Sequence, residues 1–256
     1  MKFLYKNVFI LILLILTNTS SEAKNFNYCS SNPIWKHAAY KGSEETYSKN
    51  IESAIRSGYC GIELDVIYDE DKNLVYISRG QVYSSKEKNF LSLNSLDEII
   101  KDQDVYIWLD WKNSKLSNIA KTNKLIQNSM KKYLSNKKSM IFIETPNIVH
   151  NELLNLLNKN QNISILNWIS HSSDKNNLIE KIKNIYRFIR AWTYICILPD
   201  RRVSSHDIEI LEICKNNRKS KSIFIFTINS LDEAKRVFVM GGDVVLSDTI
   251  TNIYEN

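Results

Sequence analysis

Apolar and polar positions follow two rhythms along this chain, and the rhythms take turns. Short runs rich in Val, Ile, Phe, Tyr and Trp recur at PIWKHA (33–38), GIELDV (61–66), NLVYIS (73–78), VYIWLD (105–110), MIFIET (140–145), ISILNW (163–168), AWTYICIL (191–198), SIFIFTI (222–228) and DVVLSD (243–248). Each predicts a strand. Between most of them, apolar residues three or four apart predict helices over 47–57, 93–101, 119–134, 148–157, 178–188, 205–216 and 231–240. Strands alternating with helices predict a parallel sheet with crossover helices. Nine candidate strands, one of them a hairpin or excursion beside the second, suit a single-domain α/β fold, a TIM-like (β/α)8 barrel of about 230 residues. The rival is an open doubly wound sheet, which usually carries a Gly-rich phosphate loop. The six glycines here form no such motif.

GIELDV departs from the apolar pattern of a buried strand. Side chains alternate along a strand, so Ile62, Leu64 and Val66 share one face and Glu63 and Asp65 the other. In a βα-barrel the apolar face packs on the helices. The acids then point into the lumen near the mouth, where such barrels keep their chemistry. Two carboxylates on one partly desolvated face repel, and each pKa rises unless a positive group neutralises them. The economical counter-charge is a hard divalent cation, Mg²⁺ or Ca²⁺, held through oxygen. VYIWLDWK repeats the device, with Asp110 ending an apolar strand and Lys112 at the same parity. Asp110 completes a three-acid ligand set, and Lys112 favours an anionic substrate. His37 follows PIWK at another predicted strand end, which makes it a candidate general base or acid. Taken one at a time, each acid also reads as a strand-end cap or a partner for a lysine, and the histidine as a structural residue.

Composition adds the compartment and the partners. A chain of 256 residues, 43% of them hydrophobic, can bury one sizeable core. Lys2 and Lys6 precede the apolar run VFILILLIL (8–16), and polar TNTSSEA (17–23) follows it. This is the order of a secretory signal peptide over 1–23, cut after Ala23, with the barrel domain over 24–256. The expected location is secreted or periplasmic. An uncleaved anchor is the alternative, although the run is short for a bilayer. Cys29, Cys60, Cys196 and Cys214 permit three pairings in an oxidising compartment, and none has metal-site spacing. The net charge of +6 lies on Lys-rich stretches such as KKYLSNKK (131–138). No RNA-binding or zinc-finger motif accompanies it, so the expectation is no nucleic acid, with room for peripheral contact with anionic membranes.

At this point the ordered motifs resemble the glycerophosphodiester phosphodiesterase family, of the PLC-like phosphodiesterase superfamily. His37, Glu45 eight residues on, the helix YSKNIESAIRSGYCG and then GIELDV are similar to that family's HRG, ENT, helix and G-x-E-x-D. LSLNSLDEIIKDQDVYIWLDWK resembles its next block, a helix leading to a strand that ends in Glu-x-Lys. SIFIFTINSLDEAKRVFVMGGDVVLSD resembles its closing block, "vWTvN", helix, "GvDgiiTD". Asp in the third acidic position is also similar to the sphingomyelinase D branch, whose strand reads Asp-x-Lys. The resemblance implies a TIM-like barrel and one divalent cation on Glu63, Asp65 and Asp110. It further implies a phosphate contact from Lys112, a catalytic His37 and a site-supporting Glu45. The substrate it implies is a small-molecule glycerophosphodiester or a phospholipid headgroup.

Two departures qualify the expectation. The family's arginine after the first histidine is absent, since Ala38 and Ala39 follow His37. Its second catalytic histidine would fall fifteen residues after Glu63, and that slot holds Ser78, followed by Arg79 as a candidate phosphate contact. A serine hydroxyl does not protonate a leaving group near neutrality as an imidazolium does, and losing a general acid costs on the order of 10²–10⁴ in rate. The expectation is therefore an exported metal-dependent phosphodiesterase, with a binding-only descendant of such an enzyme as the alternative. A barrel glycosidase, using Glu63 or Asp110 with Trp108 and Trp111, is a third class that Lys112 beside the acids disfavours.

Overall fold

In the computed structural model, residues 32–40, 46–78, 90–136, 140–145, 152–153, 156, 162–166, 194–199 and 222–254 are described. Their nine strands form one sheet: β1 (Ile34–Lys36), β2 (Gly61–Asp69), β3 (Leu74–Ile77), β4 (Tyr106–Trp111), β5 (Ile141–Glu144), β6 (Ile163–Leu166), β7 (Tyr194–Pro199), β8 (Ser222–Phe226) and β9 (Val244–Ser247). Eight of them lie in the order β6-β5-β4-β2-β1-β9-β8-β7. Each hydrogen-bonded pair along that path is parallel. The two ends of the path, β6 and β7, come within 8 Å of each other between Cα atoms, so the staves curve round into a barrel. β3 stands off the path and pairs antiparallel with β2, the expected excursion.

That hairpin makes β2 longer than the apolar run predicts. Its outer end, from Val66 to Asp69, pairs with Ile77 back to Leu74. Asp69 closes the turn, its Oδ1 accepting from the backbone N–H groups of Asp71 (3.0 Å) and Lys72 (3.1 Å).

The described helices are α1 (Tyr47–Arg56), α2 (Leu93–Ile100), α3 (Ile119–Ser129), α4 (Lys131–Ser135) and α5 (Leu231–Val239). Each of the longer ones turns an apolar stripe to the sheet; in α1 the stripe is Tyr47, Ile51 and Ala54. Gly58, at φ +83°, ends that helix with its N–H on the Ile55 carbonyl at 3.1 Å and turns the chain into β2. One helix expected over 119–134 is two. The carboxylate of Asp97, buried on α2, accepts from the backbone N–H groups of Lys132 (3.1 Å) and Tyr133 (2.8 Å). That cap, supplied from a neighbouring helix, starts α4 afresh after Met130. The helices expected over 178–188 and 205–216 lie outside the described residues. Of the one over 148–157 only 152–153 and 156 are described, all helical.

The lower part of the lumen is filled with rings. Trp35 of β1 stacks on Tyr106 of β4 (5.7 Å, 21°) and meets Phe142 of β5 and Phe224 of β8 edge-on at 5.4 and 5.2 Å. Phe224 crosses the lumen to Trp108 (5.6 Å). In the registers of the sheet, Gly61 lies between Trp35 and Tyr106. A Cβ at Gly61 would stand 2.1 Å from Trp35 Cδ2, so the glycine is the space into which the indole folds.

Candidate active site

The parity predicted for β2 and β4 is the parity observed. Glu63 is in register with Trp108, and two residues further up the strands Asp65 is in register with Asp110 and Asp110 with Glu144. Glu63 therefore shares a level with the upper rings and is buried, while Asp65 and Asp110 stand one level nearer solvent. One oxygen from each of Glu63, Asp65 and Asp110 lies within 4.8 Å of the others. Oxygens bound to one Ca²⁺ at about 2.3–2.6 Å are separated by at most about twice that distance, so the spacing suits a shared hard cation.

Lys112, at the same parity as Asp110, reaches back over both upper acids. Its Nζ lies 2.8 Å from Asp65 Oδ1 and also donates to Asp110 Oδ2. With all three acids ionised, −3 from the carboxylates and +1 from Lys112 leave −2, the charge one dication balances. Burial pushes the Glu63 carboxyl well above the usual carboxylate range. Asp65 and then Asp110 push the same way, against a backbone N–H and Lys112. Burial also raises Asp110, offset in part by Lys112 and reinforced by Asp65. The Lys112 ammonium is raised above its ordinary value. Burial works against its charge, and Asp110 and then Asp65 outweigh that. Carboxyls raised by burial and by a neighbouring acid mark Glu63 and Asp110 as candidate functional groups.

The turn after β1 supplies the remaining groups. The His37 backbone N–H donates to the Ser247 carbonyl (2.9 Å), which docks the turn on β9. Its Nδ1 lies 2.9 Å from Asp248 Oδ1. Asp248 is held in turn by Asn229, whose Oδ1 accepts from the Asp248 backbone N–H at 2.8 Å and from Ser247 Oγ at 3.1 Å. A carboxylate on Nδ1 favours the tautomer with its proton there, leaving Nε2 with the lone pair a general base needs. Ala38, at φ +44°, directs its N–H to Glu63 Oε2 at 2.6 Å. The Tyr40 hydroxyl donates to Asp65 Oδ2. Burial, then Asp65, raises the Tyr40 phenol far above its ordinary value, so it stays a donor.

Four of the predicted site residues, Glu63, Asp65, Asp110 and Lys112, thus converge, and His37 joins them one residue from the Ala38 contact. Ser78 is buried, its N–H on the Asp65 carbonyl at 3.0 Å, so the slot in which the family pattern has its second histidine borders the site. Glu45 and Arg79 lie outside the described residues, as do His150, His171 and His206. Sequence reasoning missed Asp248, Tyr40 and Glu144. Asp248 ends the last predicted strand just as Asp110 ends its own, and that signal was available. Glu144, buried and accepting from Trp108 Nε1 at 2.9 Å, ends its strand in the same way. For Tyr40 there was none; an aromatic after two alanines reads as packing. Of the four cysteines, Cys60 is disulfide-bonded, to a cysteine outside the described side chains.

The solved structures this chain is similar to include several phosphodiesterases, and also the tryptophan synthase α-subunit of Pyrococcus furiosus, with a TM-score of 0.54 at 11% identity. One, a phosphodiesterase from Oleispira antarctica in complex with its product sn-glycerol-3-phosphate, aligns with a TM-score of 0.64 at 14% identity, over 88% of this chain and 96% of that one. A glycerophosphodiester phosphodiesterase from Parabacteroides distasonis aligns with 0.61 at 14%, over 85% and 94%. A Ca²⁺-dependent phosphatidylinositol-specific phospholipase C from Streptomyces antibioticus aligns with 0.59 at 8%, over 86% and 93%. No protein-family model matches the chain, and no curated protein matches its sequence. At such identities the likeness establishes the fold, a TIM-type barrel; the chemistry has to be argued from the site.

Proposed function

We propose that this protein is a metal-dependent phosphodiesterase, a phosphoric diester hydrolase that takes glycerophosphodiesters or phospholipid headgroups at the barrel mouth. The observation that carries the reading is the convergence of Glu63, Asp65 and Asp110 under Lys112, on the same end of the barrel as His37 and Asp248. The product complex of the Oleispira protein and the Ca²⁺ dependence of the Streptomyces phospholipase support it. When bound, a Mg²⁺ or Ca²⁺ ion supplies Lewis-acid stabilisation of charge on a phosphoryl oxygen. Lys112 sits beside that position and binds the diester anion. His37 Nε2 takes the proton of the attacking hydroxyl as the new P–O bond forms. The P–O bond to the departing alcohol breaks, and the imidazolium is stabilised by Asp248. The departing alkoxide takes its proton from solvent water, since Ser78, in the slot of the family pattern's second histidine, supplies no general acid.

The test is hydrolysis of a glycerophosphodiester by the purified protein. Activity that EDTA abolishes and that His37→Ala strips away supports the proposal, whereas equal rates in wild type and His37→Ala would sink it. One observation favours a second reading, in which the barrel binds a phosphodiester without efficient turnover: a buried serine holds the family pattern's second histidine slot. Ser78→His distinguishes the two, since a large gain in turnover marks a dismantled ancestral site. For compartment, the proposal is export, with cleavage after Ala23. The basic, apolar and polar order of the first residues supports it, as does the disulfide at Cys60. The net charge of +6 supports peripheral attraction to anionic membranes.

A further inference from the structure

The segment after His37 has a second role, and it rests on the metal-site reading above. In the resembled pattern an arginine follows the first histidine; here the positions hold Ala38, Ala39 and Tyr40. These residues act on Glu63 and Asp65 without bringing any charge. The Ala38 N–H holds Glu63 Oε2 at 2.6 Å, the Ala39 N–H holds the Glu63 carbonyl at 3.0 Å, and the Tyr40 hydroxyl holds Asp65 Oδ2. Asp65 is thereby gripped from both sides, by Tyr40 on one oxygen and by Lys112 Nζ on the other at 2.8 Å. The Tyr40 ring is itself fixed. It is buried, and it packs edge-on against Tyr47 of α1 at 5.3 Å and 75°.

We infer that Tyr40 is the positioning residue of the cation site, a neutral donor on Oδ2 that fixes the orientation of the Asp65 carboxylate among the three acids. The choice of a neutral donor has an electrostatic reason. A cation at this place would cancel part of the −2 left by three acids and one lysine, weakening the pull on a dication. A hydroxyl and a backbone N–H orient the acids and leave that charge intact. Partners that orient a metal's ligands commonly change affinity by about 10–100-fold when removed. The ring contributes packing as well, so the informative change removes one oxygen and keeps the ring.

Isothermal titration calorimetry of metal-stripped wild type and Tyr40→Phe, with Ca²⁺ and with Mg²⁺, tests this. The expected result is an affinity at least about tenfold weaker in Tyr40→Phe, with circular dichroism and the melting curve in EDTA close to wild type. A purely structural hydroxyl would lower the melting temperature in EDTA and leave the dissociation constant alone. That outcome, or equal constants with equal melting, overturns the inference while leaving the proposed function standing. A wild type that takes up neither ion at millimolar concentration overturns both.

Discussion

The floor and the mouth of this barrel are built on the same strands with the same parity, yet they obey opposite rules. On β4 the lumen-facing series is Tyr106, Trp108, Asp110, and on β5 it is Phe142, Glu144. Two residues along a strand, rings give way to carboxylates. The floor is mostly ring contact, with Trp35 touching Tyr106, Phe142 and Phe224 and Phe142 touching Tyr106 and Phe224, and its burial favours the fold. The mouth holds three acids and one lysine; burial, reinforced by Asp65, raises the carboxyls of Glu63 and Asp110, so ionising those two works against the fold. Stability comes from the rings and the proposed chemistry from the acids, and a functional site is where a stability cost is expected.

Substitutions at the two levels should therefore behave in opposite ways. The largest expected effect is at the mouth and falls on rate alone. His37→Ala, read as kcat on a glycerophosphodiester, should lose about 10²–10⁴-fold, with the melting temperature nearly unchanged. Next comes the floor. Gly61→Ala forces a methyl to within 2.1 Å of the Trp35 ring and should cost about 3 kcal/mol in urea unfolding; a cost under about 1 kcal/mol would mean that the ring stack yields easily. Asp248→Asn removes the charge behind the imidazolium and should lower kcat by about 10–100-fold. If kcat is unaffected, Asp248 is only a structural partner of the turn.

The smallest effect is the one that most directly sets mouth against floor. Glu63→Gln keeps an acceptor for the Ala38 N–H and deletes a buried charge. In EDTA it should stabilise the protein at neutral pH by about 1 kcal/mol while abolishing the rise in melting temperature that Ca²⁺ or Mg²⁺ gives wild type. The pH dependence follows from the direction of the shift. A carboxyl whose folded pKa is raised binds its proton more tightly folded than unfolded. The stability of the metal-free protein thus falls as pH rises from the ordinary carboxylate range through the raised value. Glu63→Gln should flatten that slope in melting curves taken in EDTA. An unchanged slope would place the strain elsewhere.

Much of this was legible along the chain. Strand parity alone put Glu63 and Asp65 on the lumen face, and the same counting put Asp110 and Lys112 beside them, because period-2 alternation is a local property of any strand. The hairpin excursion was legible from the count, nine candidate strands for a barrel of eight. The break of the helix at Met130 was not, since its cause is Asp97 on another helix. The grip of Asp248 on His37 was not either. It joins residues 211 apart, and only the closing of the last strand onto the first brings them together.

By itself, then, the order of residues determined which side chains share a face, how many staves the sheet has and that acids crown the second and fourth strands, all consequences of short-range backbone geometry. Which of those acids meet, that Lys112 bridges two of them and that a tyrosine from the turn after the first strand holds Asp65 on the strand beside it are decided by tertiary structure alone. The physical reason is that hydrogen bonds and charge pairs act over about 3 Å in space, and only the curvature and closure of the barrel convert separation along the chain into that distance.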